Sequence, residues 1–220
     1  MALKHKILHG VSFLAYCVAL FTIHNLIDPH NTIQLISSYI FAFVPLILFF
    51  KNSSGLKAWH LLTIGLVLRF LVFAPPSLSD DYYRYYWDGL LVINNVNPYS
   101  ILPKQVNLAF EPMVAFNDTL YNALNSPEYY SVYPPFLQLI FAFAAYVGGS
   151  LLGFVIMYKS ISIAFEIAIF YLLKQLLKQQ KLPLKNLILY WLNPLIIIEL
   201  TGNMHSEIFM LLFTLWAFYL

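Results

Sequence analysis

The chain has 220 residues, of which 60% are hydrophobic, 18% aromatic and only 10% charged. A soluble domain of this length needs about a quarter of its residues charged, so the composition excludes a soluble globular protein and indicates a polytopic membrane protein. The net charge of +2 is too small to indicate a nucleic-acid partner, and the single cysteine, Cys17, allows no internal disulfide.

Apolar runs that approach the thickness of a bilayer recur along the chain. They predict six spans, at residues 7–27, 33–50, 59–74, 151–173, 184–200 and 207–220. Lys4 and Lys6 place the N-terminus in the cytoplasm under the positive-inside rule. The first run also follows a basic start like that of a signal peptide, but it is long enough to span and lacks a clear small-residue cleavage site. We therefore expect a retained first span, with cleavage as the alternative.

A shorter apolar run at residues 135–147 decides the predicted topology. Its roughly 13 residues are too few for an ordinary span. If it crossed the bilayer, the lysine-rich segment 174–185 would also emerge outside, against the positive-inside rule. We therefore expect an interfacial or re-entrant helix within one large external loop, residues 75–150. The prediction is an all-α, single transmembrane domain covering residues 1–220, as the N-terminal portion of a longer protein.

Residues 79–89 form the most polar stretch next to a predicted span, with three carboxylates, one guanidinium and five aromatic rings. We predict a helix from Asp80 to about Asn95. On such a helix Asp81, Arg84 and Asp88 share one face, and Asp80 neighbours Arg84. A guanidinium favours the charged form of adjacent carboxylates, which can then act as a general base or help to hold a divalent cation. The alternative is an interfacial helix whose charges pair with one another.

Further motifs follow in a fixed order along the chain. They are Asn97-Pro98-Tyr99, Tyr133-Pro134-Pro135, Trp191-Leu192-Asn193-Pro194-Leu195 with Glu199, and Gly202-Asn203-Met204-His205-Ser206-Glu207. With the acidic stretch, they resemble the GT-C superfamily of membrane glycosyltransferases, in particular its bacterial, polyprenyl-phosphate-dependent mannosyltransferase-like branch. The resemblance covers about residues 78–207.

The resemblance implies transfer of a hexose, with mannose the best guess, from a polyprenyl-phosphate donor to a glycan, lipid or protein acceptor. It implies inversion at the sugar and a site on the external, periplasmic side of the inner (plasma) membrane. Asp80 and Asp81 occupy the catalytic positions, and Asp81 is preferred because it shares a face with Arg84. The implied substrate-binding positions are Arg84, Asp88, Asn97, Tyr99, Tyr133, Lys159, His205 and Glu207, where Glu207 replaces the Asp of the family motif. A divalent cation, Mg²⁺ or Mn²⁺, on Asp80 and Asp81 is left open.

Two other classes of function stay open at this point. Lys159, Glu166 and Arg69 lie inside predicted spans, where ionisable residues are costly and mark functional paths by default. They allow a transporter or lipid flippase, and a non-catalytic membrane scaffold is the third reading. A transporter concentrates polar groups near the midplane, whereas this chain concentrates them in one external loop, which favours the transferase.

Overall fold

The computed structural model describes residues 2–28, 30–53, 56–76, 78–109 and 117–220, and these ranges contain helices and turns but no β-strand. The predicted all-α class is therefore confirmed, while residues 110–116 of the predicted external loop lie outside the described ranges. The helices are α1 (Ala2–Asn25), α2 (Thr32–Asn52), α3 (Ala58–Phe70), α4 (Asp81–Ile93), α5 (Pro103–Ala109), α6 (Asp118–Asn122), α7 (Pro135–Gly148), α8 (Leu151–Gln179), α9 (Ile188–Trp191), α10 (Pro194–Ile196) and α11 (Glu207–Tyr219).

Two of the helices in the described ranges, α2 and α8, are long and apolar enough to cross a membrane. A third crossing is formed if Leu184–Trp191 and Pro194–Gly202, which meet at a 45° bend, count as one broken span. Helices α3 and α11 have 13 residues each and α7 has 14, so all three are shorter apolar helices. Long apolar helices of this kind are those of a membrane protein. The number of six spans stays a prediction.

The break at Pro194 has a local cause. Proline has no backbone N–H and disfavours helical backbone in the residue before it, so Asn193 is extended, with φ −71° and ψ 124°. The Asn193 side chain then accepts a hydrogen bond from the N–H of Leu195 at 3.0 Å and starts the next helix. A π-helix at Ile197–Gly202 follows directly. The helix therefore breaks within the Trp-Leu-Asn-Pro-Leu motif, with a bend of 45°.

The chain folds into two compact units, which we name by their place in the sequence. The central unit is Ser79–Ile161, and the terminal unit combines Met1–Leu78 with Ser162–Leu220. The single domain over residues 1–220 and the residue limits of its spans remain predictions from the sequence.

In the terminal unit, Trp191 joins α9 to α3. Its indole N–H donates to the carbonyl of Leu61 at 2.8 Å, and the Arg69 guanidinium lies 3.8 Å from the centre of its ring. The ring lies so close to Gly65 that a side chain at that position would overlap it. The tryptophan of the Trp-Leu-Asn-Pro-Leu motif therefore fixes the first half of the broken helix against α3.

In the central unit, α4 packs along α7. The ring of Tyr85 stacks on that of Phe141 with centroids 4.7 Å apart and planes 6° from parallel. Gly89 allows the two backbones to approach, because a Cβ atom there would lie 2.5 Å from the carbonyl oxygen of Phe141. This contact holds the acidic helix in place.

Gly89→Ala is expected to destabilise the protein by about 1–3 kcal/mol, because the added methyl group overlaps the backbone of α7. Thermal unfolding in detergent measures the change. Gly10→Ala on α1 is the matched control, since a Cβ atom at Gly10 meets no atom within 4 Å. An equal melting temperature for both variants would contradict the close α4–α7 contact.

Candidate active site

The acidic stretch forms α4, from Asp81 to Ile93, within two residues of the predicted limits. Asp80 stands at the N-cap position, and Asp81 lies in the first turn, where the helix dipole favours negative charge. The Asp80 side chain is exposed and that of Asp81 is half-buried. Both carboxylates are accessible from solvent.

Asn125 joins these two carboxylates. Its side-chain Nδ2 donates to Oδ1 of Asp80 at 2.9 Å and to Oδ1 of Asp81 at 2.8 Å. No recognised motif contains Asn125, which lies 45 and 44 positions from its two partners along the chain.

Arg84 pairs with Asp88, one turn further along α4. Its Nε donates to Oδ1 of Asp88 at 2.9 Å, and the side chains are only 3% and 0% exposed. Its Nη1 donates to the carbonyls of Ser126 and Tyr129, both at 3.0 Å. Within the described ranges Arg84 makes no hydrogen bond to Asp80 or Asp81, so the expected contact with the acidic pair is replaced by one with Asp88.

The second oxygen of Asp88 ties α4 to α7. Ser131 Oγ donates to Oδ2 at 2.5 Å and Gln138 Nε2 donates to it at 3.2 Å. Asp88 therefore accepts hydrogen bonds from α4, from the segment before α7 and from α7 itself. Among the described residues, Asp88 therefore forms a buried structural link. Together, Asp88 and Arg84 hold residues 126–131 through hydrogen bonds to Ser126, Tyr129 and Ser131.

The tyrosines of the two short proline motifs contact each other. The hydroxyl of Tyr99 donates to the carbonyl of Tyr133 at 2.5 Å, and Asn97 Oδ1 accepts from the backbone N–H of Tyr99 at 2.9 Å. Burial, with the charges of Asp81 and Asp88 as smaller causes, raises the pKa of Tyr133 to about 12. Its hydroxyl therefore stays protonated at neutral pH. The structure brings Asn97, Tyr99 and Tyr133 into the same unit as the acidic pair.

A cleft of about 720 Å³ opens in the central unit on the side of α4 that carries Tyr83 and Tyr86. Its other described lining residues are Asn117, Thr119, Leu120, Ala123, Gly149, Ser150 and Leu151. The ring of Tyr83 stacks on that of Tyr82 with centroids 4.1 Å apart, which limits its rotation. The cleft combines an aromatic wall with a few hydroxyl and amide groups, the composition of sites that bind small molecules.

The late motif forms a separate polar cluster in the terminal unit, centred on Glu199. Its carboxylate accepts from the hydroxyl of Tyr39 at 2.6 Å and from Asn203 Nδ2 at 3.0 Å. Nδ1 of His205 lies 3.4 Å from the same carboxylate. Glu207 is exposed at the first position of α11. The acid next to His205 is therefore Glu199, which the motif contains but which was not among the predicted site residues.

The buried ionisable residues occupy different places. Lys159 is fully buried on α8 in the central unit. In the terminal unit Arg69 and Glu166 form a fully buried ion pair. Arg69 Nη1 also donates to the carbonyls of Gly65 and Trp191, both at 3.0 Å. The pair and these two backbone contacts connect α3 to α8 and to Trp191 within the terminal unit.

No group of three or more His, Cys, Asp and Glu side chains within the described ranges is placed to hold a metal ion. Asp80 and Asp81 supply two oxygens side by side, and the Asn125 amide nitrogen lies between them.

In this all-helical protein with long apolar helices, two accessible carboxylates stand at the start of an aromatic helix, and two tyrosines of that helix line a cleft. The chain belongs to the MptA_B family, whose profile, described as alpha-(1->6)-mannopyranosyltransferase, N-terminal domain, matches residues 36–220. No curated protein and no solved structure matches it. The predicted resemblance and the enzyme class, glycosyltransferase, are thereby confirmed.

Proposed function

We propose that the chain forms the membrane-embedded N-terminal part of a mannosyltransferase. In this proposal the sugar comes from a polyprenyl-phosphate donor, the acceptor hydroxyl attacks on the external, periplasmic side of the inner membrane, and the sugar carbon inverts. The observation that carries the proposal is the pair of accessible carboxylates, Asp80 and Asp81, fixed by Asn125 on a helix whose aromatic face lines a cleft. Membership of a mannopyranosyltransferase family supports the sugar.

The chemistry assigns a separate role to each group. One carboxylate, Asp81 by preference, accepts the proton of the acceptor hydroxyl while the oxygen of that hydroxyl bonds to the anomeric carbon of the sugar. The bond from that carbon to the lipid phosphate breaks on the opposite face, which inverts the centre. The electron pair leaves with the phosphate, which cationic groups stabilise. Lys159 is proposed for that task, whereas the buried contacts of Arg84 favour a positioning role.

We place one of the reacting sugars in the cleft, against Tyr83. A hexose presents an apolar face to a ring and hydroxyl groups to its surroundings, so a tyrosine wall with neighbouring polar side chains suits it. Tyr83 lies three residues after Asp80, about one helical turn away on the same side of α4, whereas Asp81 stands on the opposite face with Arg84 and Asp88. Tyr99, Tyr133 and Asn97 are proposed to contact a substrate from another side of the site in the central unit.

Tyr83→Ala is expected to raise KM for one substrate about tenfold, equivalent to about 1.4 kcal/mol, with a smaller change in kcat. Loss of the ring removes the stacking surface while the carboxylates stay in place. Tyr83→Phe should retain most of the affinity. Tyr146→Ala, at a side chain that is 76% exposed on α7 and outside the described lining of the cleft, is the control. An unchanged KM in Tyr83→Ala would exclude the cleft as a sugar site.

The direct test is sugar transfer in membranes that contain the expressed protein. Radiolabelled polyprenyl-phosphate mannose is compared with a nucleotide-activated mannose, and membranes without the protein are the blank. We expect transfer from the lipid donor alone. Right-side-out and inverted vesicles distinguish the two membrane faces when the donor is supplied from outside. Transfer from the nucleotide sugar alone would overturn the proposed donor. Transfer only in inverted vesicles would overturn the proposed orientation of the site.

A further inference from the structure

We propose that Asn125 is a positioning residue of the transfer site, and that its amide fills the place between two carboxylates where a bridging divalent cation would otherwise bind. This inference rests on the proposed function for its catalytic consequence. Its geometric part concerns only Asp80, Asp81 and Asn125 of the central unit.

The two hydrogen bonds use the full donor capacity of one NH₂ group. An amide nitrogen carries two hydrogens, and here one points to each carboxylate, at 2.9 and 2.8 Å. The opposite orientation of the amide would direct its oxygen at two acceptor oxygens, which repel it, so the partners fix the assignment of nitrogen and oxygen. Two neighbouring negative charges also repel each other, and donors placed between them reduce that repulsion.

The backbone around Asn125 is anchored, although its side chain is exposed. Leu124, the residue before it, is only 7% exposed. The carbonyl of Ser126, the residue after it, accepts a hydrogen bond from the buried guanidinium of Arg84 at 3.0 Å. The Arg84–Asp88 pair thus fixes the segment that presents the amide, and the amide in turn orients the catalytic pair. A buried ion pair on α4 is connected in this way to an exposed site at the start of the same helix.

The bridging amide leaves reactive atoms available. Within the described ranges, Oδ2 of Asp80 and Oδ2 of Asp81 accept no hydrogen bond. Each carboxylate is therefore held through one oxygen and presents the other to an acceptor hydroxyl. A divalent cation bound in the same place would weaken both carboxylates as bases much more than a neutral amide does, because it carries a full positive charge.

The test compares wild type, Asn125→Leu, Asn125→Asp and the control Asn122→Leu, which changes an exposed residue at the end of α6. Asn125→Leu keeps a similar volume without donors, and we expect kcat to fall at least tenfold while KM for the lipid donor stays within twofold. Asn125→Asp directs a third carboxylate at the other two. We therefore expect the purified variant to bind Mn²⁺, observed by electron paramagnetic resonance, at least tenfold more tightly than wild type.

Both results are required. The proposal is overturned if Asn125→Leu keeps the wild-type kcat, or if Asn125→Asp binds Mn²⁺ no more tightly than wild type does. It is also overturned if wild type itself binds Mn²⁺ at this site and needs it for transfer, because the amide oxygen would then be a ligand. If wild type transfers sugar from neither donor, the proposed function is wrong whatever the role of Asn125. The Mn²⁺ comparison then tests by itself whether the Asn125 amide occupies the place of a bridging cation.

Discussion

Asp81→Asn is expected to lower kcat for sugar transfer by about 10²–10⁴-fold, the range lost when a general base is removed. Asparagine has nearly the same shape and still accepts a hydrogen bond from Asn125, but it cannot take the proton of the acceptor. Asp80→Asn is expected to have a smaller effect. Asp80 is exposed at the N-cap position, whereas Asp81 is half-buried and its charge acts on Tyr133. A base held in one orientation is the more effective one.

The measurement is the initial rate of transfer, normalised to the amount of protein in the membrane. Asp118→Asn is the matched control, because Asp118 is an exposed carboxylate in the first turn of α6. A larger loss in Asp80→Asn than in Asp81→Asn would exchange the two roles. Rates within twofold of wild type in both variants would show that the acidic pair is not catalytic.

Removal of one partner of the Arg69–Glu166 pair is expected to destabilise the protein by about 3–5 kcal/mol, because the remaining charge stays buried without its counter-ion. Arg69→Met also removes the hydrogen bonds to the carbonyls of Gly65 and Trp191. Glu166→Leu leaves the guanidinium over the Trp191 ring without a carboxylate. The double variant Arg69→Met/Glu166→Leu buries no charge at this place and should recover much of the loss.

Thermal unfolding in detergent and the amount of protein in the membrane measure this effect. Lys57→Met, which removes an exposed cation before α3, is the control. A folded double variant that still transfers sugar would support a structural role for the pair. A double variant that is as unstable as either single one would contradict the pairing. A stable double variant without activity would instead show that sugar transfer requires the charged pair.

Local features of the structure could be predicted from the sequence because their causes are local. The acidic helix begins within one residue of the expected position, since carboxylates favour the first turn, and it ends at Ile93, ahead of the proline in Asn97-Pro98. The break before Pro194 follows from the missing N–H of proline. Helix α8 extends to Gln179, beyond residue 173, the predicted end of the span. The prediction counted apolar residues only, whereas the helix continues through the polar residues that follow them.

The partners of the site residues could not be predicted, because they come from distant parts of the chain. Helical spacing placed Asp80 and Asp81 as near to Arg84 as Asp88 is. What selects Asp88 is the pair of donors from Ser131 and Gln138, 43 and 50 positions away. The same holds for the amide of Asn125. A single sequence contains no signal for such pairings.

The network around Asp88 also limits how this enzyme can change during evolution. Arg84, Ser131 and Gln138 are buried and all donate to the buried carboxylate of Asp88, so loss of that carboxylate leaves three polar groups without that acceptor. The four positions should therefore be inherited as a set, and relatives that lose the carboxylate should lose the guanidinium with it. In the proposed function the sugar contacts the cleft lining, which contains none of these four residues, so sugar preference can diverge there while the Asp88 network stays unchanged.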